Sequence, residues 1–90
     1  HINNLMDSLK EKRILIDTID TNIIDLLKRR FQVVSEIKTI KEKNNIPVLD
    51  SGRENKILDG ICLKCGNENS EHIVEIYKTI MGESKKHQKQ

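Results

Sequence analysis

Residues 5–43 read LMDSLKEKRILIDTIDTNIIDLLKRRFQVVSEIKTIKEK, with no glycine or proline in the run. Leu5, Leu9, Ile16, Ile19, Ile23, Leu27, Val34 and Ile37 recur at steps of three and four, or sums of them, which marks one face of a helix. Ser8 and Glu11 have the spacing of a capping box near its start, with a start one turn earlier as the alternative. Asn44-Asn45 and then Pro47 end it, because the residue before a proline avoids helical geometry. A helix over about 39 residues is roughly 58 Å long. A compact chain of this size has a radius of gyration of about 12 Å. No other segment is long enough to cover such a rod, so its apolar stripe needs a second molecule. Two-fold symmetry is the commonest way to supply one. The stripe therefore predicts a homodimer in which two long helices pack against each other.

Two shorter helices follow. The first is expected over about 51–65, opened by Asp50 or by a Ser51–Glu54 capping pattern. Ile57, Leu58, Ile61, Cys62 and Cys65 form its apolar face, and Gly66 is a natural stop. The second is expected over about 70–88, starting near Asn69-Ser70. Its buried face is Ile73, Val74, Ile76, Tyr77, Ile80 and Met81, and the polar tail from Lys85 is expected to fray. The fold class is all-α: three helices per chain with a very long first helix, one domain over residues 1–90, and an intertwined helical homodimer. One Phe, one Tyr and no Trp argue against single-stranded nucleic-acid binding, which uses aromatic platforms. A formal net charge of +2 is too small to indicate a polyanionic partner. No apolar run reaches membrane-spanning length, so a soluble, cytoplasmic protein without membrane or nucleic-acid partners is expected. Cys62 and Cys65 read as two half-buried helix residues. One C-x-x-C pair cannot complete a four-ligand zinc site, and no metal site is expected.

The long stripe is interrupted by cations. Arg13 lies between Leu9 and Ile16, Arg30 between Leu27 and Val34, and Lys41 one turn beyond Ile37. A cation on a buried face needs an anion, from the protein or from a ligand. Arg30 and Lys41 share a face about 16 Å apart, close enough for two long side chains to hold a small dianion. Arg13 lies about 25 Å from Arg30 along the axis, so it reaches the same small molecule only from an antiparallel partner helix. On the last helix the stripe continues to Ser84 and Gln88, four apart and on one face. Each residue also has a plainer reading. Arg13 is spaced to pair with Asp17, Lys41 suits the negative end of the helix dipole, Asp50 suits an N-cap and Glu54 a capping box. Arg53 has no such excuse, since a cation in a first turn opposes the dipole.

Taken together these residues resemble the AroQ-type chorismate mutases over nearly the whole chain. The likeness is carried by Leu9-Lys10-Glu11-Lys12-Arg13 leading into Ile16-Asp17-Thr18-Ile19-Asp20, by Leu26-Leu27-Lys28-Arg29-Arg30, and by Glu36-Ile37-Lys38-Thr39-Ile40-Lys41. It continues through the proline loop and D-x-x-R-E start, Ile46-Pro47-Val48-Leu49-Asp50-Ser51-Gly52-Arg53-Glu54, and closes on Ile80-Met81-Gly82-Glu83-Ser84 with Gln88. The resemblance implies an intertwined all-helical homodimer with two sites. It implies the [3,3] rearrangement of chorismate to prephenate on the path to phenylalanine and tyrosine, with no cofactor and no metal. It also implies site roles. Arg30 and the partner subunit's Arg13 pair with the carboxylates of chorismate, aided by Lys41, Arg53 and Ser84. Lys41 and Gln88 stabilise charge on the ether oxygen, with Arg30 also counted as catalytic. Glu54, with Asp50 nearby, engages the ring hydroxyl. An isochorismate–pyruvate lyase of the same fold and a non-catalytic helical dimer or regulatory module are the alternatives. The D-S-G-R-E stretch and the retention of every expected polar residue favour the mutase.

Overall fold

The protein was analysed as a computed structural model, which describes residues 2–66 and 68–89. Among these residues there are three helices and no strand: α1 (Ile2–Asn44), α2 (Ser51–Cys65) and α3 (Ser70–Lys89). The all-α expectation with a very long first helix holds. Helix α1 begins before Ser8, so Ser8 and Glu11 lie inside it and form no capping box at its start.

The chain divides into two compact units, residues 1–32 and 33–90. The described part of the first is a single stretch of α1. Most of its apolar stripe is exposed, while Leu27 is half-buried. Leu5 is 70% exposed, Leu9 43%, and Ile16, Ile19 and Ile23 lie between those values. Thr18 and Thr21 donate their hydroxyls back to the carbonyls of Ile14 and Asp17 at 3.2 and 3.0 Å. This is how a helix accommodates hydroxyls without tertiary partners.

The second unit holds the end of α1 with α2 and α3. Its core takes one apolar residue from each helix: Val34, Ile61 and Met81 are buried, together with the polar Ser84. Ile57, Leu58, Ile73, Val74, Tyr77 and Ile80 are half-buried around them, while Ile76 and Cys62 are exposed, against expectation. Both cysteines are free thiols, and Cys65 donates to the carbonyl of Ile61 at 2.9 Å.

The connections set the angle of each helix. Asn45 takes a left-handed backbone (φ 53°), and the amide of Ile46 donates back to the carbonyl of Lys41 at 2.9 Å. That six-to-one bond is a Schellman stop. Pro47 and the bend at Val48 then lead the chain to α2. Helix α2 is capped by Asp50, whose Oδ1 accepts the amide of Arg53 at 2.9 Å. The cap is thus one residue before Ser51, so Ser51 and Glu54 form no capping box either. Between α2 and α3, Gly66 (φ 59°) and Asn69 (φ 58°) turn the chain, and the Asn69 carbonyl accepts the amide of Ile73 at 3.0 Å.

Candidate active site

The end of α1 places Lys41 beside both the proline loop and α3. Its half-buried ammonium donates to the carbonyl of Val48 at 2.9 Å and lies 3.4 Å from Oε1 of Gln88. An ammonium has three N–H donors. Two are directed by the protein, so the third is aimed by a fixed frame. With Oε1 of Gln88 turned to Lys41, the NH₂ of the same amide is presented as a donor. The structure therefore brings together two residues that are forty-seven positions apart, each with a donor to spare.

The last turns of α3 are more ordered than a polar tail suggests. The helix runs to Lys89, beyond the expected end near 88. Ser84 is buried, and its hydroxyl donates to the carbonyl of Ile80 at 2.8 Å. His87 is half-buried, with Nε2 2.7 Å from Oγ of Ser35, so α3 is tied to α1 one and a half turns before Lys41. Of the polar tail Lys85–Gln90, the structure describes residues 85–89 as helix, and Gln90 lies outside the described residues. Gly82 is not needed for close packing, because a Cβ there would meet nothing within 4 Å.

At the start of α2, Asp50 is occupied as the N-cap. Glu54, released from capping, turns to α3 and forms an ion pair with Lys85 at 3.1 Å. Arg53 is exposed and lines an open cleft of about 350 Å³ between α2 and α3, with Lys56, Ile61 and Tyr77 among its walls. Six of the eight candidate residues, Lys41, Asp50, Arg53, Glu54, Ser84 and Gln88, belong to this second unit. The other two, Arg13 and Arg30, belong to the first. Arg30 is half-buried. Arg13 is exposed and makes no ion pair with Asp17.

Three participants were not visible in the pattern: Lys85, the Ser35–His87 pair and the carbonyl of Val48. Lys85 did carry a signal. It follows Tyr77 and Met81 at steps of four, a cation on an apolar stripe just as Arg30 is on α1. The Val48 carbonyl carried none, because a backbone acceptor has no residue identity.

The ends of α1 and α3 thus bring a cation and an amide together, with the ion pair between Glu54 and Lys85 linking α2 to α3. The chain belongs to the chorismate mutase type II family, whose model matches residues 12–89 and so encloses every candidate residue from Arg13 to Gln88. It is similar to the chorismate mutase of Methanocaldococcus jannaschii, 33% identical over 88 residues, covering 96% of this chain and 89% of that protein. It is also similar to bifunctional chorismate mutase/prephenate dehydratases. The one from Aquifex aeolicus is 37% identical over 82 residues, covering 84% of this chain and 22% of the relative. The one from Buchnera aphidicola (subspecies Schizaphis graminum) is 37% identical over 71 residues, covering 77% and 18%. The chain thus spans about a fifth of the length of the bifunctional relatives and 89% of the Methanocaldococcus jannaschii protein. No solved structure matches it significantly.

Proposed function

We propose that this chain is a chorismate mutase, a single cytoplasmic domain that converts chorismate to prephenate as a homodimer. The observation that carries the reading is the pairing of Lys41 with Gln88 within a chain of this family. The reaction breaks a C–O bond and forms a C–C bond in one concerted step. No proton moves and no intermediate is bound covalently. The protein must therefore hold one conformer and stabilise charge as it develops.

Arg30 and Arg13 of the partner subunit clamp the two carboxylates. A guanidinium fork matches a carboxylate in two places. The clamp selects the compact conformer in which the carbons to be joined are close, which lowers the entropic part of the barrier. As the C–O bond breaks, negative charge grows on the ether oxygen. The remaining N–H of Lys41 and the NH₂ of Gln88 meet it there. Since both are already oriented, little reorganisation is needed in the transition state. Glu54 accepts the ring hydroxyl, and Arg53 and Ser84 assist the carboxylates. Asp50 supports Glu54 by fixing the start of α2.

Dimerisation is supported by the exposed apolar stripe of Leu5, Leu9, Ile16, Ile19 and Ile23, which a second copy would bury. Among the described residues no helix is long and apolar enough to cross a membrane. The test is direct. The purified protein is mixed with chorismate, and loss of substrate and appearance of prephenate are followed. Stoichiometric conversion is expected. A folded dimer that leaves chorismate unchanged contradicts the proposal, and release of pyruvate from isochorismate instead would reassign it to the lyase.

A further inference from the structure

Lys85 sits where a charge is costly. It continues the Tyr77–Met81 stripe of α3, next to buried Met81 and Ser84, and its own side chain is only 36% exposed. A partly dehydrated ammonium needs an anion. It finds the carboxylate of Glu54 on the first turn of α2 at 3.1 Å. Glu54 has no competing duty, because Asp50 already caps α2. Its side chain is 27% exposed, so a small molecule can still reach it. A carboxylate has about four lone-pair positions, and Lys85 uses one side of Oε1. The remaining lone pairs form an acceptor held by this ion pair between α2 and α3.

We infer that Lys85 is a positioning residue: its ammonium fixes the Glu54 carboxylate as the acceptor for the substrate's ring hydroxyl. The inference rests on the proposed engagement of that hydroxyl by Glu54. An acceptor left to rotate must be ordered each time substrate binds, and that ordering entropy weakens binding. The hydroxyl is remote from the bond that breaks, so its hydrogen bond is the same in substrate and transition state. Such uniform binding appears in KM and not in kcat. Lys85 therefore acts on KM, through Glu54, without touching the substrate.

A double-mutant cycle on the full dimeric protein tests this, with chorismate turnover as the readout and an unfolding curve for each variant. Glu54→Gln is expected to raise KM by about tenfold or more. Lys85→Met is expected to raise KM by about tenfold with kcat within about twofold, and Lys85→Arg to restore KM to within about threefold. On the Glu54→Gln background, Lys85→Met should change KM by less than about twofold, because the interaction it served is gone. Lys85→Gln replaces Lys85→Met if the latter fails to fold. The inference is overturned if Lys85→Met raises KM as strongly on the Glu54→Gln background, which would mean direct contact with substrate. It is equally overturned if Lys85→Met leaves KM unchanged while Glu54→Gln raises it. A Glu54→Gln variant with unaltered KM refutes the role of Glu54 itself and the inference with it, a failure seen in that single variant.

Discussion

Residues 2–32 of α1 and the three-helix unit after them draw on the same vocabulary of Ile, Leu, Lys and Arg but bury it differently. In the second unit each helix places a residue in a common core. In the first, Leu5, Leu9, Ile16, Ile19 and Ile23 remain exposed by 43% or more. The second unit supplies its own packing partners, while the exposed stripe of the first is left for the proposed partner subunit. The charged residues divide in the same way. Lys41, Glu54 and Gln88 have partners within their unit, whereas Arg13 is left at the surface of a lone helix. An exposed stripe with an exposed arginine on it is what the proposed dimer would cover.

The largest effect is expected from the borrowed interface. Ile16→Asp combined with Ile23→Asp places two carboxylates on the stripe, and burying each unpaired costs several kcal/mol. The variant should sediment as a monomer or unfold, and activity should vanish. A folded, active monomer would mean that the stripe has no partner. Next come the donors of the second unit. Lys41→Ala and Gln88→Ala should each lower kcat by about 10²–10³-fold, the usual cost of removing one preorganised donor, with sedimentation unchanged. If either lowered activity only by dissociating the dimer, the two units would not be separable in function. The smallest effect belongs to the strut between α1 and α3. Ser35→Ala or His87→Ala removes one partly buried hydrogen bond and should cost about 1 kcal/mol in urea unfolding. The two losses should be strongly non-additive when combined.

Much of this was legible in the sequence because it depends on local periodicity. The 3.6-residue repeat gave α1 its length, and the length alone pointed to a partner. The positions of Arg13, Arg30 and Lys41 on that repeat marked them as candidates. Where two local solutions compete, the pattern left both open. Ser8–Glu11 and Ser51–Glu54 both satisfy the capping pattern, but α1 starts upstream of Ser8, and Asp50, the other start open in the sequence, caps α2. The end of α3 looked soluble and loose, because the pattern does not reveal that Ser35 waits opposite His87 or that Glu54 waits opposite Lys85. Such pairs are fixed by how helices cross, and crossing is a tertiary property. The use of Val48 as an acceptor was invisible for a simpler reason, since any residue in that position offers the same carbonyl.

Within α1, Arg13 and Arg30 are about 25 Å apart, too far for one small dianion to touch both. If one molecule's Arg13 serves the other's Arg30, two inactive proteins should repair each other. Arg13→Ala and Arg30→Ala variants are mixed in equal amounts, subunit exchange is verified with tagged chains, and chorismate turnover is measured. Random pairing makes half the dimers mixed, and each mixed dimer has one intact site, so about a quarter of wild-type activity should return. Proven exchange with no recovery would contradict the shared site.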